Sequence, residues 1–531
     1  MRISLIFILT LFKLTAIAQV ASSIEHVDLM IDRSVYFATE PILFFAEIDG
    51  EKSTNCPDLS TVLYTEILDR NGVSIFKKKT LIVDCKSTGM LEIPEETITG
   101  VYLLRSYTKF QQNLPVNDLE TKVIRIINPR QKAQQKAEIP VLTKTEKRAE
   151  IQILIDEEKR SLKAIAQDST HKISAISIVE KGLVIEDWMS PKFTNDKSIL
   201  NKAIKPVLPE TRGIDIRGKL LLKAESNKTF PKLIYAATLG VNRQFHVVEA
   251  DSQGRFMISF SQISGFQKIY ITSNLDAEIL VETDFSNDMP SYSWTYDTLY
   301  KKQLPNFESG YSNYQIPALF QCKIQSTETE PIALTAPFTN PTEEIFLADF
   351  VPLKNMEEVF SEIVPFVAVR KANGKRQITM YDFKTKLSVE EPLVMVDNIP
   401  FQNHEQVLAI PYSKVHSIDV FAEPLLISDQ LFKGIINIKT EDGLLGGLAL
   451  PSNCVALDYQ TTNALATFTF TDLDKKIAFG NTIQFERIPL PNQEVEIEIP
   501  QAIQMLDHDV IVYYRNAFGQ LESSIQSITH K

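Results

Sequence analysis

Three short stretches carry the residue types that do chemistry. His404 stands beside Glu405 where a helix is expected to begin, with Asp397 a little upstream. An imidazole near carboxylates is the raw material of a general base or a metal site. Only nearness in sequence joins these three, and a histidine after a turn more often caps a helix or faces solvent. Leu506–Val510 reads LDHDV. On a strand, Asp507 and Asp509 point to one face and His508 to the other, which weakens a shared metal site. Asp156–Lys159 reads DEEK and is expected as a solvated turn. The chain has no G-x-S-x-G, no H-E-x-x-H, no phosphate-binding glycine loop and no dinucleotide fingerprint. No catalytic residue, no metal ligand set and no cofactor is therefore expected, and the chain is expected not to be an enzyme.

The elements that would position such residues come from 531 residues of ordinary globular composition. The net charge of −12 and pI near 5.3 argue against nucleic acid as a partner, because phosphate binding needs a basic face. Short runs rich in Val, Ile, Thr, Tyr and Phe recur along the chain, and 30 Phe stand against 18 Gly. That pattern favours strands. Residues 1–18 read as a signal peptide: Arg2, an apolar run broken by Lys13, then Ala16–Ala18 before Gln19. No later run approaches the roughly 18 apolar residues of a spanning helix, so no membrane span is expected. The mature chain is expected to be exported, periplasmic or associated with an outer membrane. Export permits disulfides. Of Cys56, Cys85, Cys322 and Cys454, the first two flank one hairpin region, where a bridge and free thiols are both open readings.

Residues 19–130 read as a β-sandwich whose hairpin turns at Asn71-Gly72. A charged linker follows at 131–148, then a reduced β domain at 149–209 and a further β-sandwich at 210–285. Residues 286–345 are aromatic and irregular. They read as a strap packed on neighbouring domains, or as a contact surface for a ligand through Tyr292, Trp294, Tyr296 and Tyr300. Residues 346–445 give the order helix, hairpin, strand-turn-strand, helix, strand, strand, with Met356, Val359, Phe360 and Ile363 at helical spacing. Asp397-Asn398 is the turn, and Asn tolerates left-handed φ. Residues 446–531 read as a small C-terminal β unit.

Several of these segments resemble known families. The first sandwich, with DRSVYFATEPILFF, EILDRNG and GVYLLRSYT, resembles the MG2 domain of alpha-2-macroglobulin-like proteins, as it occurs in exported proteins of Bacteroidota. Residues 210–285 resemble carboxypeptidase-regulatory-like sandwiches through IDIRG and DSQGRFMI. The stretch from Pro392 to Thr440 resembles the plug domain of TonB-dependent receptors. Pro392, Val394, Val396, Asp397 and Pro400 match its first motif, with Asn398 where the family commonly has Gly. Ile418, Asp419 and Val420 match the second, with Asp for Glu; Gly434, Ile436, Ile438 and Thr440 match the third. The resemblance implies structural roles for these residues and a mainly β chain: serial macroglobulin-like and carboxypeptidase-regulatory-like sandwiches, then an α+β plug-like domain. About 85 residues remain after Leu445, several times too few for a barrel of about 22 strands. The CGEQ-type thioester of protease-trapping macroglobulins is absent.

The expected function is thus non-catalytic: an interaction or structural protein of the bacterial outer envelope, docking to an outer-membrane protein or complex, either a barrel or an envelope machine. The alternative is a glycan- or peptide-binding module that uses the aromatic segment 290–320.

Overall fold

The computed structural model describes residues 25–50, 59–131, 137–143, 151–156, 158–193, 207–222, 231–239, 243–261, 265–286, 288, 292–297, 311, 315, 325–326, 338–372, 374–381, 384–385, 388–389, 392–461, 468–469, 481–499 and 507–529. The chain is mainly β and divides into two compact units. One comprises residues 1–211, 285–329 and 462–531; the other comprises 212–284 and 330–461.

The first unit is a stack of sheets that are antiparallel except where Val35–Phe37 runs parallel to Glu120–Ile127. A five-stranded sheet runs in the order Val35–Phe37, Glu120–Ile127, Gly100–Thr108, Val62–Leu68, Ser74–Leu81. Its inner face carries Leu63, Ile67, Tyr102, Leu104, Ile124 and Ile126. Against it lies a three-stranded sheet of Glu25–Ile31, Pro41–Gly50 and Lys86–Glu92. This middle sheet is buried on both faces, so its strands read as near-continuous apolar runs rather than clean alternations. Phe44 lies over Gly89, the cross-strand partner whose missing side chain makes room for the ring. Phe45 points the other way and meets Phe485 at 4.3 Å.

Phe485 belongs to a second sandwich, whose composition departs from the sequence expectation. Its four-stranded sheet is Thr482–Asn492, Lys172–Glu180, His508–Arg515 and Leu521–Ile528. The opposing sheet is Ile151–Asp156, Ser161–Ala166 and Glu494–Glu498. Segments 149–209 and 446–531, expected as separate units, share both sheets. The reduced domain lacks strands enough to bury its own apolar face; the C-terminal strands supply them. Ile176, Ile178, Val510 and Val512 fill the core between these sheets. Ala175, Val179, Ile511 and Tyr513 face the first sandwich and join its core. The Tyr513 hydroxyl accepts from Ile31 N at 3.0 Å and donates to Ile31 O at 2.8 Å.

The second unit begins with a sandwich. Its sheets are Arg255–Phe260, Ile214–Leu222, Ala277–Val281, and Phe245–Glu249, Leu233–Thr238, Gly265–Ser273, Val455–Thr461. Here too a late strand, Val455–Thr461, completes an early sheet. The rest is a five-stranded mixed sheet in the order Glu343–Phe346, Val415–Phe421, Ile435–Thr440, Leu393–Val396, Ile399–Pro400. Helices Met356–Glu362 and His404–Leu408 and the hairpin Val367–Ala372/Lys375–Tyr381 accompany it. Met356, Val359 and Phe360 are buried, and Asn355 caps the helix by accepting from Glu358 N. The order matches the one expected for 346–445, with an additional hairpin, Leu425–Ile427/Gln430–Phe432. Among the described residues no helix is long and apolar enough to cross a membrane.

Candidate functional site

The turn expected at Asp397-Asn398 joins Val396 directly to Ile399, its cross-strand partner. Both turn residues have positive φ, 47° and 67°, as a two-residue hairpin turn of the primed kind requires. Neither faces solvent. The Asp397 carboxylate accepts from Thr440 N at 2.9 Å, Thr440 Oγ1 at 2.6 Å and Leu445 N at 2.8 Å. Asn398 N donates to Asn437 Oδ1 at 3.0 Å, and Asn437 Nδ2 donates to Asn398 Oδ1 at 2.9 Å. The turn is a latch that ties the end of one strand to its parallel neighbour, Ile435–Thr440.

The other motif residues are buried around this latch. Pro392, Val394, Val396 and Pro400 line one strand and its return; Ile418, Val420, Ile436 and Ile438 are core. At Gly434 any Cβ would collide with the Met380 methyl, so glycine lets the hairpin close over the strand start. Asp419 is 3% exposed and holds Lys439 at 2.8 Å, while its Oδ1 has no partner. Burial raises its pKa against the pull of Lys439.

His404 and Asp397 do not converge. His404 Nδ1 accepts from Ile378 N at 3.0 Å, pinning the short helix to the hairpin strand. Burial lowers the His404 pKa from its ordinary value of 6.5, since the neutral ring is the form that accepts. The stability this adds is complete above the unfolded value near 6.5. It is lost as pH falls from there toward the folded pKa, where the unfolded chain takes up the proton first. Burial lowers His246 in the same sense. Urea unfolding between pH 5 and 7 should therefore show stability rising less with pH in His404→Gln than in the native chain, against the opposing slope of His26, whose pKa the bond to Asp28 raises. An unchanged slope in the variant would show that His404 titrates normally. The LDHDV carboxylates are likewise engaged elsewhere. Asp507 pairs with Lys181 at 3.1 Å, Asp509 accepts from Gly182 N at 2.8 Å and Ser527 Oγ at 2.6 Å, and His508 is buried. Among the described residues no group of three His, Cys, Asp or Glu is placed to hold a metal.

The aromatic segment behaves as a strap. Its residues 292–297 clothe the outer face of the five-stranded sheet, together with pieces of the linker, while Glu343–Phe346 is an edge strand of the mixed sheet in the second unit. Trp294–Asp297 pairs with Ala137–Pro140, and Tyr292 stacks on Phe193 at 3.9 Å. Tyr292 is buried with Leu68, Val101, Leu103, Val123 and Trp188, which removes it as a ligand contact. Trp294 is half-buried beside that cluster. Tyr296 contributes backbone to the strand, and Tyr300 lies outside the described residues.

Where the chain leaves the first unit and where it returns, it is pinned to this same sheet. At the departure, Glu210 Oε2 accepts from the Tyr64 hydroxyl at 2.8 Å, and Lys109 lies 3.3 Å from its Oε1. At the return, Arg105 Nη1 donates to Asp288 O at 2.8 Å and Ser286 N donates to the Tyr107 hydroxyl at 2.8 Å. Phe285 sits edge-on to Tyr64, with Lys77 and Lys79 over its ring. No sequence signal marked these anchors, although Tyr64, Arg105 and Tyr107 lie in strands that were legible. Cys85 is disulfide-bonded, Cys454 is a free thiol that burial pushes up to about 12, and Cys56 and Cys322 lie outside the described residues.

Exposed apolar side chains of the second unit include scattered single residues such as Phe266 and Leu444, and two groups in which they adjoin. Phe346, Phe350 and Val351 lie on one short stretch, with Val351 81% exposed. Leu426 and Leu431 are cross-strand partners on the added hairpin and are 67% and 65% exposed. A lone two-stranded hairpin does not ordinarily spend two leucines on solvent.

No protein-family model and no curated protein matches this chain. Among solved structures, alpha-2-macroglobulin from Salmonella, reacted with methylamine, is 9% identical over 95% of this chain, with a TM-score of 0.16. Trypsin-activated alpha-2-macroglobulin from Escherichia coli is 8% identical over 95% of this chain, with a TM-score of 0.21. Dimeric latent PorU from Porphyromonas gingivalis is 11% identical over 51% of this chain, with a TM-score of 0.17. The chain spans 23%, 41% and 33% of those proteins. Likeness at these scores carries no argument, and the mainly β sandwich architecture stands on the strands of this chain alone.

Proposed function

We propose that the protein is a non-catalytic interaction protein of a bacterial outer envelope, exported and held by an outer-membrane protein or complex. The observation that carries this reading is the contrast within the second unit. Its chemically capable groups, Asp397, His404 and Asn437, are bound into the fold, while Phe346, Phe350, Val351, Leu426 and Leu431 are left facing outward. Rigid scaffolding with an apolar exterior suits docking rather than turnover.

A photo-crosslinking amino acid at Val351 or Leu426, activated in intact cells, should capture an outer-membrane protein. Placed at the exposed Thr295 of the first unit it should capture far less. Failure to capture such a protein from either position, with the chain recovered in the soluble periplasmic fraction, would overturn the proposal.

A further inference from the structure

The first unit carries a cleft that the docking reading does not use. It has a volume of about 280 Å³ and is lined by Arg70, Asn71, Glu138, Trp294 and Thr295. We propose that it is a saccharide-binding subsite, sized for one or two sugar rings and built on Trp294.

Each wall is held by its own local structure. Arg70 and Asn71 belong to the tight turn that sequence alone located. Asp69 Oδ1 accepts from Asn71 N at 2.8 Å and from Val73 N at 2.7 Å, and Gly72 takes the positive φ of 73° that the turn needs. The opposite wall is the strand pair Ala137–Pro140/Trp294–Asp297, in which Thr295 stands across from Ile139. Arg70 and Glu138 form an ion pair that links the two walls. Trp294 is packed beside the buried cluster of Tyr292 and Phe193, so its indole is held in place before any ligand arrives. Such preorganisation removes part of the ordering cost of binding.

The lining chemistry selects the ligand class. A pyranose ring has an apolar C–H face that lies on an indole and a rim of hydroxyls that both donate and accept. Here the Trp294 indole and the Glu138 carboxylate share one face of the strand pair, and the Arg70 guanidinium and Asn71 amide stand on the other wall, so an aromatic surface lies beside donors and acceptors. The paired Arg70 and Glu138 leave the cleft without net charge. A phosphate would meet the Glu138 carboxylate, and an isolated cation the Arg70 guanidinium, so neither is favoured. The volume sits just below the ~300 Å³ at which small-molecule pockets ordinarily begin, so affinity near a millimolar Kd is expected.

The chain holds two tryptophans, and Trp188 is buried beneath Arg125, 5.4 Å from the ring centre. Trp294 is therefore the tryptophan that reports on the cleft. The full chain would be titrated with maltotriose, cellotriose, xylotriose and chitotriose while tryptophan emission is followed, with saturation-transfer NMR as a second measurement. At least one trisaccharide should give a saturable change with a Kd of about 1 mM. Trp294→Ala should weaken its NMR-detected binding at least about tenfold. Arg70→Ala, at an exposed turn and outside the buried aromatic cluster, should weaken binding by about threefold and serves as the test if Trp294→Ala does not fold. Silence from all four trisaccharides overturns the proposal. So does binding that survives both substitutions, or a response to tetra-alanine alone, which would make the cleft a peptide site. None of these outcomes touches the docking proposal, which rests on the other unit.

Discussion

Replacing Arg105 with alanine is expected to destabilise the first unit by about 3–5 kcal/mol, the cost of leaving one member of a buried ion pair alone. Arg105 and Glu66 are each 1% exposed. Arg105 Nη2 donates to Glu66 Oε1 at 2.6 Å and Nε donates to the same oxygen at 3.2 Å. The Tyr107 hydroxyl donates to that oxygen too, at 3.0 Å. Without the guanidinium, Glu66 keeps one hydroxyl donor and loses its only cation partner in this cluster. It must then be desolvated as an uncompensated charge or be protonated. Burial, first, and the nearby Glu66 charge raise the Tyr107 pKa, so the phenol stays neutral and keeps its proton as a donor to Glu66. The return segment also loses its anchor at Asp288 O. The double variant Arg105→Met/Glu66→Leu removes both charges and should recover most of the loss, because an apolar pair of similar bulk carries no desolvation penalty. Urea unfolding of the native chain and the two variants measures this. A loss below about 1 kcal/mol for Arg105→Ala would place the pair in the range of solvated surface bridges.

Asn398→Val should cost the second unit roughly 2–4 kcal/mol, in two separable parts. A β-branched residue at φ 67° carries about 1–2 kcal/mol of steric strain, and losing the side-chain oxygen leaves Asn437 Nδ2 buried without its acceptor. Asn398→Gly keeps the turn geometry and loses only the second part, so it should cost about 1–2 kcal/mol. Guanidinium unfolding of both variants separates turn strain from the lost amide contact. Equal costs would mean that the backbone at this position relaxes out of the left-handed region.

Local order was largely legible. The hairpin at Asn71-Gly72, the turn at Asp397-Asn398 and the buried stripe of Met356, Val359 and Phe360 are each fixed by residues within a few positions of one another. Turn chemistry and helical spacing speak at that range. The partners of Lys172–Glu180 are Thr482–Asn492 and His508–Arg515, some three hundred residues away. An apolar strand reads the same whichever distant strand it pairs with, so the sequence divided one sandwich into two. The aromatic segment carried the same ambiguity. Tyr292 and Trp294 alternate as a strand would, yet one is sealed against Phe193 and the other lines a cleft. Only the three-dimensional neighbours decide between these. Of the candidate site, Trp294 was legible as a residue type. Arg70 and Glu138 were not, because one sits in a turn and the other in what reads as a charged linker.

The bond between Ile31 and Tyr513 also sets an order of events in synthesis. The two residues are 482 positions apart. At about 5–20 residues per second, the ribosome delivers Tyr513 roughly 25–100 s after Ile31. Until the strands from Thr482 onward are made, the middle sheet of the first sandwich has one face covered only in part, by Ala175 and Val179, and Phe45 lacks Phe485. The growing chain therefore presents a flat, apolar, strand-forming surface until its last strands emerge, and this is the face that a holding chaperone would have to shield in the meantime.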